Sequence, residues 1–272
     1  MSRNKNRVAQ APVPAMAAQE PVASPFNFIV PTEVVDIPSE GKFYPEGHPL
    51  HNVDCIEIKH LTAKEEDILT SQSLIKKGLA VNKVLESIII DKSIKVDDLL
   101  IGDKNALIIA SRIYGYGPDY NVNLTCTACS TQFDATVDLN DFNLKKIDLD
   151  DIKEAVEKTE NNTFIVTLPK SQFVVEFRLL TSRDESTITK AKNNSSTGVL
   201  KMIIVSINGQ TDSFFLDRAL QALPILDANL LKRLYSAVMP DVDMSCEVEC
   251  TSCAEEFRVE VPLTAEFFWP NF

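Results

Sequence analysis

The chain has 272 residues, of which 44% are hydrophobic and 24% are charged, a mixture typical of folded globular proteins. Its net charge of −12 removes the attraction to phosphate on which most nucleic-acid binding depends. No apolar run reaches the roughly 18 residues that a membrane span needs, and no secretory signal follows the basic N-terminus. We therefore expect a folded protein with no nucleic-acid partner and no membrane partner.

The chain begins with a segment unlike the rest. Residues 1–31 are rich in Ala, Pro, Gln and Ser, and residues 1–19 carry a charge of +3 from Arg3, Lys5 and Arg7. Subtracting +3 from the total of −12 leaves −15 on the remainder. Such a segment buries too little apolar surface to offset its ordering entropy. We interpret residues 1–31 as a flexible N-terminal arm.

Short strands and helices are predicted after the arm. Apolar residues over 55–58 predict a strand. Thr62 and Glu65 form a Thr-x-x-Glu capping box, so a helix is expected to begin there. The helical spacing of apolar residues over 81–89 predicts a buried helix face, and another helix follows Asp103.

The second half of the chain repeats this order. A strand is predicted over 174–177, Ser182 and Glu185 form a second capping box, and a helix follows Asp227. Five pairs of segments correspond in order, the second pair at a constant offset of 119 residues. The pairs are 35–39 with 166–170, 56–70 with 175–189, 84–91 with 199–206, 112–120 with 233–242, and 124–139 with 248–263. We interpret this as an internal duplication.

Four of the six cysteines form two Cys-x-x-Cys pairs at corresponding points of the two halves. Each pair follows an extended segment and precedes, after three residues, a Phe and an alternating strand. One such turn supplies two ligands, whereas a closed tetrahedral zinc site needs four. Because four thiolates leave no position open to water, the metal would be structural. We predict one Zn²⁺ bound by Cys126, Cys129, Cys250 and Cys253.

Other interpretations of the cysteines stay open. The pairs could be reduced and metal-free, or a site that has lost its metal. They could also form a redox dithiol, although a thioredoxin-type pair opens a helix and these pairs lie between predicted strands. Cys55 is expected to be a small buried apolar residue. Cys246 is a competing ligand without a counterpart in the first half.

The predicted fold is α+β and internally duplicated, with two similar halves joined by a zinc-ribbon-like β element. The predicted organisation is an arm at 1–31, a first repeat at 32–142, an acidic linker at 143–162 and a second repeat at 163–272. Whether the halves form separate domains stays open, because a shared metal could join them.

No residues form a nucleophile, base and orienting group, so we expect neither an enzyme nor a small-molecule substrate. The sequence Gly-Tyr-Gly-Pro-Asp at 115–119 lacks the third glycine of a dinucleotide fingerprint. The three histidines are expected at the surface or in packing: His48, His51 and His60. The terminal aromatic residues either pack on the core or anchor a neighbouring protein: Phe267, Phe268 and Trp269.

Longer stretches of the chain resemble a known family. Residues 35–129 contain IPSEGKFYPEGHPL, LTAKEEDILTS, RIYGYGPDY and CTAC, and the chain closes with CTSC and FRVEVPLTAEFFWP. These stretches resemble the baseplate proteins of contractile-tailed bacteriophages, more narrowly the T-even-type baseplate hub family. The resemblance implies a structural or assembly protein of the hub or inner baseplate that binds other baseplate and tail proteins. It also implies a location in the virion after a stage in the host cytoplasm; a homo-oligomer stays open.

Two other functions stay open at this point. A zinc-ribbon nucleic-acid-binding adaptor would need basic residues around the cysteines, yet 121–141 contain none and 247–263 contain only Arg258. A thiol-disulfide oxidoreductase would use one or both cysteine pairs as its dithiol.

Overall fold

The computed structural model describes residues 30–147, 156–191, 196–261, 263 and 265–268. The predicted arm lies outside these residues except for Val30 and Pro31, and so does Trp269. The described residues from Pro31 onward belong to one compact unit. Within the described residues, no helix is long and apolar enough to cross a membrane.

The first half contains four helices and five strands among the described residues. The helices are α1 (Ala63–Leu69), α2 (Gln72–Lys76), α3 (Ala80–Ile88) and α4 (Ile101–Tyr116). The strands are β1 (Thr32–Asp36), β2 (Cys55–Lys59), β3 (Asp119–Thr125), β4 (Gln132–Asp138) and β5 (Asn143–Lys145).

The second half also alternates strands and helices. Its strands are β6 (Glu157–Lys158), β7 (Thr163–Thr167), β8 (Val174–Arg178), β9 (Ile204–Ile207), β10 (Asp241–Asp243), β11 (Ser245–Glu249) and β12 (Glu256–Glu260). Its helices, in the described ranges, are α5 (Ser182–Ala191), α6 (Ser196–Ile203), α7 (Ser213–Gln221) and α8 (Ile225–Val238). The fold is therefore α+β, as the sequence predicts.

The strands form small antiparallel sheets. β6, β7, β8 and β9 make one four-stranded sheet, and β1 pairs with β2. β3 pairs with β4 and β11 pairs with β12, so each Cys-x-x-Cys lies in the turn of a hairpin. The segment 143–162, interpreted as a linker, contributes β5, which pairs with β10, and β6, which pairs with β7.

Capping side chains determine where helices α1 and α5 begin. Thr62 and Glu65 form the predicted capping box of α1, in which Glu65 accepts the Thr62 backbone N–H at 3.0 Å. The second predicted capping box, at Ser182 and Glu185, was wrong by one residue. Asp184, and not Glu185, accepts the backbone N–H of Thr181 at 2.9 Å. Ser182 is fully buried, and its N–H donates to the carbonyl of Leu99, so Thr181 is left to cap α5.

One hydrophobic core contains residues from both halves. Phe43 lies 6.0 Å from Phe164, centroid to centroid, and Phe164 stacks on Phe177 at 5.5 Å. Helix α4 also approaches the second half closely, because a Cβ on Gly102 would lie 2.0 Å from the carbonyl oxygen of Pro240. The two hairpins that carry the cysteines have a separate small cluster of buried residues.

Candidate metal centre

Two hairpins of the same design position the four cysteines. In the first, β3 and β4 pair from Asp119–Asp138 to Thr125–Gln132, and residues 126–131 form the turn. In the second, β11 and β12 end at the pair Glu249–Glu256, and residues 250–255 form the turn. Both turns therefore contain six residues that begin with Cys-x-x-Cys.

Backbone hydrogen bonds fold the two turns alike. The N–H of Cys126 donates to Thr131 O at 3.0 Å, and that of Cys250 donates to Glu255 O at 2.9 Å. Ser130 and Ala254 follow the second cysteine of each pair with φ of 58° and 56°. This left-handed conformation turns the chain back into the second strand, at a conformational cost to a residue that is not glycine.

Backbone donors also point at the buried sulfurs. The N–H of Ala128 donates to Cys126 Sγ at 3.4 Å, and the N–H of Ser252 donates to Cys250 Sγ at 3.4 Å. The first cysteine of each turn is therefore held by the same kind of backbone hydrogen bond.

The four predicted sulfurs meet. All four Sγ atoms lie within 4.8 Å of one another, and the pairs Cys126–Cys253 and Cys129–Cys250 are 3.7 Å apart. In a tetrahedral site with Zn–S bonds of about 2.3 Å, the edge between two sulfurs is about 3.8 Å. The short distances join one hairpin to the other, so this donor set fits one tetrahedrally coordinated ion between the hairpins.

A small apolar cluster supports the sulfurs from one side. Cys126 and Cys250 are buried, whereas Cys129 and Cys253 are exposed. Phe133 and Phe257 pack edge to face with ring centroids 6.2 Å apart beneath the buried pair. Both hairpins contain Cys-x-x-Cys followed by Phe, and this pattern places one ring from each hairpin in the same cluster.

The sulfurs perturb one another's ionisation. Hydrogen bonds from Thr131, with smaller contributions from the neighbouring thiols, lower the pKa of Cys129 to about 6. The backbone N–H of Glu255 favours the Cys253 thiolate, but the adjacent sulfurs of Cys129, Cys250 and Cys126 outweigh it and raise the pKa of Cys253 to about 12. Sulfurs this close therefore disfavour four thiolates at once, and a bound cation would compensate that charge.

The comparison with protein families assigns the chain to a known family. A family model described as T4 bacteriophage base plate protein matches residues 31–269. The chain belongs to this family. The match confirms the resemblance drawn from the sequence, and it implies a structural protein of the phage tail that interacts with other tail or baseplate proteins. Comparisons with curated proteins and with solved structures gave no match.

The remaining cysteines of this baseplate protein lie apart from the four-sulfur cluster. Cys246 belongs to β11 and is half-buried, and burial raises the pKa of its thiol. Cys55 belongs to β2, as expected, but it is half-buried and not buried as predicted. Neither is among the residues whose ligand atoms meet at the cluster.

Sequence reasoning missed Arg112, which holds the base of the first hairpin. Its side chain is 1% exposed and donates to three carbonyl oxygens, those of Gly117 at 2.6 Å, Phe267 at 3.1 Å and Asp119 at 3.2 Å. The guanidinium also lies 5.4 Å from the ring centroid of Tyr116. Arg112 therefore joins the end of α4, the start of β3 and the C-terminal segment. The only sequence signal was an Arg directly after a mainly apolar stretch of this helix and followed by Tyr residues.

Proposed function

We propose that this baseplate protein is a non-enzymatic scaffold of the hub or inner baseplate of a contractile phage tail. The observation that carries the proposal is the family match over residues 31–269. The scaffold binds other baseplate and tail proteins, in the host cytoplasm during assembly and then in the virion. Its rigidity comes from one apolar core shared by both halves and from a metal that links two hairpins.

The metal is proposed to be a structural zinc ion held by Cys126, Cys129, Cys250 and Cys253. Support comes from the sulfur separations, which suit a four-thiolate tetrahedral site. With all four positions filled by protein, the ion would stabilise the fold and would not activate water. Because each hairpin supplies two ligands, the ion would cross-link residues about 120 positions apart in the sequence.

An internal duplication is proposed as the origin of the paired hairpins. One set of contacts corresponds at the predicted offset of 119 residues. In α1, Glu65 accepts from Lys59 and Thr62; in α5, Asp184 accepts from Arg178 and Thr181. The first turns of α4 and α8 correspond as well, since Asp103 accepts the N–H of Ser39 and Asp227 accepts the N–H groups of Lys170 and Ser171.

The described residues favour neither alternative function. An adaptor for nucleic acid would need free basic residues on the hairpins, and Arg258 there is ion-paired with Asp243 at 2.9 Å. An oxidoreductase would need a dithiol at a helix N-terminus, and both cysteine pairs lie in turns between strands.

The proposed function is tested by locating the protein in phage particles. Mass spectrometry of purified virions and of tail-assembly intermediates should detect it, and electron cryomicroscopy of tails should place residues 31–268 in the baseplate. A phage lacking the gene should fail to complete its tail. Absence of the protein from both virions and assembly intermediates would refute the proposed scaffold function.

A further inference from the structure

A groove of about 340 Å³ lies between the two halves of the molecule. Residues from α2, α3 and α4 line one part of it, and residues from α5 line the opposite part. Apolar side chains contribute much of its lining: Ile75, Val81, Ile108 and Leu263. A groove of this size receives a few side chains of a partner, and not a whole domain.

The groove is basic, whereas the protein as a whole is acidic. Lys77, Lys104, Lys190 and Glu185 line it, so three lysines and one glutamate give +2, on a chain of net charge −12. Lys104 already donates to Glu185 at 2.6 Å. Lys77 and Lys190 are exposed, and in the ranges that the structure covers neither has an ion-pair partner.

We propose that this groove receives an acidic segment of a neighbouring tail protein. A large apolar side chain of that segment would lie against Ile75, Val81 and Ile108, and its carboxylates would pair with Lys77 and Lys190. The inference rests on the proposed scaffold function, which supplies protein partners. An acidic partner is repelled by most of this surface, so a local charge of +2 beside an apolar lining favours docking at the groove.

The occupant would also fix the two halves relative to each other. Its apolar anchor would contact helices of the first half, and its carboxylates would pair with Lys77 of the first half and Lys190 of the second. Binding would therefore strengthen the same arrangement that the metal and the shared core maintain.

The test introduces a photo-crosslinking group in the full-length chain. Ser186, which lines the groove, is replaced by benzoyl-phenylalanine, and the protein is supplied to a phage that lacks the gene. Crosslinked peptides from assembled tails are sequenced by mass spectrometry. The expected adduct is a tail-protein segment with net negative charge and a large apolar residue. Lys77→Glu combined with Lys190→Glu should reduce the adduct about tenfold, because both ion pairs are replaced by repulsion.

The matched control is Lys64→Glu combined with Lys95→Glu, which makes the same change in net charge at exposed lysines outside the groove lining. It should leave the adduct unchanged. The proposal is overturned by the absence of adducts, by an adduct with a basic segment, or by equal adducts in both double variants. A co-purified fatty acid in the groove, seen by native mass spectrometry, would overturn it as well.

A second reporter separates this inference from the proposed function. Benzoyl-phenylalanine at Phe214, which is exposed on α7, reports contacts elsewhere on the molecule. If the protein is present in tails but position 186 gives no adduct, the groove inference alone fails. If the protein is absent from tails and from assembly intermediates, the scaffold function fails.

Discussion

At the scale of single residues, Glu65 is a fully buried carboxylate held by several donors. It accepts from Lys59 Nζ at 2.8 Å, from Ser87 Oγ at 2.6 Å and from the backbone N–H of Thr62 at 3.0 Å. Burial alone would raise the pKa of Glu65, but these hydrogen bonds outweigh burial and lower its pKa to about 2. The charged form of Glu65 therefore stabilises the folded protein.

Replacing Glu65→Gln should lower the free energy of unfolding by about 2 kcal/mol at neutral pH, because charge-assisted hydrogen bonds are lost. The folded pKa lies below the ordinary value of 4.5, so the contribution is present above pH 4.5 and disappears as the pH falls through about 2. Urea unfolding of both proteins at several pH values measures the difference. The control is Glu66→Gln, an exposed neighbour on the same helix turn. A difference that stays constant down to pH 2 would contradict the assignment.

Arg112→Lys should lower the free energy of unfolding by about 3 kcal/mol, because one ammonium cannot reach three carbonyl oxygens in the geometry of a guanidinium. Arg233→Lys is the matched control, since the proposed duplication pairs the segment of Arg233 with that of Arg112 and Arg233 is exposed. Thermal unfolding compares the two variants. Equal stabilities for both would show that Arg112 does not hold the base of the hairpin.

The sequence predicted some of these residues and not others, for a physical reason. The four cysteines were predictable because each turn carries its own local signature. Arg112 was not, since one of its partners, Phe267, lies 155 residues away. The cap of α5 was predicted one residue late because Ser182–Glu185 satisfies the same local pattern as Thr181–Asp184. Burial of Ser182 against the first half decides between them, and that contact is tertiary.

At the scale of elements, the proposed metal would link the two cysteine hairpins. Each is a two-stranded sheet, which is marginally stable alone. Beyond the sulfurs, the described residues of the two hairpins share a small apolar cluster around Phe133 and Phe257, separate from the main core. A cluster of this size offsets little of the ordering entropy of both hairpins, so the proposed ion would contribute much of their stability.

Removing the metal with a chelator under reducing conditions should release β3, β4, β11 and β12 while the four-stranded sheet persists. Hydrogen exchange followed by mass spectrometry measures this. Amides of 119–138 and 245–260 should lose their protection, and amides of 163–178 should keep most of theirs. If both regions lost protection together, the hairpins would not unfold independently of the four-stranded sheet. If protection were unchanged everywhere, the metal would not stabilise the hairpins.

The element-scale predictions succeeded where periodicity is strong. The apolar helix face predicted over 81–89 belongs to α3. The alternating segments predicted as strands after the cysteines are β4 and β12. The strands in 143–162 were missed because β6 has two residues and β5 has three, too few for a period of two to be recognised. β5 forms only because β10 pairs with it from the far end of the chain.

At the scale of the whole molecule, close packing joins the two halves. Gly102 near the start of α4 approaches the backbone of Pro240, where no side chain fits. Gly102→Ala would place a Cβ 2.0 Å from a carbonyl oxygen, so it should lower the free energy of unfolding by about 3 kcal/mol. Urea unfolding measures the change.

Gly115→Ala is the control on the same helix. Its Cβ would meet the end of the Leu61 side chain at 2.6 Å, which can shift, and Ala favours a helix more than Gly does. This variant should therefore change the stability by less than about 1 kcal/mol. Equal effects of the two substitutions would show that the contact of α4 with Pro240 does not hold the halves together.

X-ray absorption spectroscopy at the zinc edge, on protein purified with reduced thiols, tests most directly whether one zinc ion joins the two hairpins. We predict one zinc per chain, with four sulfur neighbours at about 2.3 Å. Cys55→Ser and Cys246→Ser should leave this spectrum unchanged, and Cys126→Ser or Cys250→Ser should remove at least one sulfur neighbour. Metal-free protein, or zinc bound mainly through oxygen and nitrogen, would contradict the proposed link.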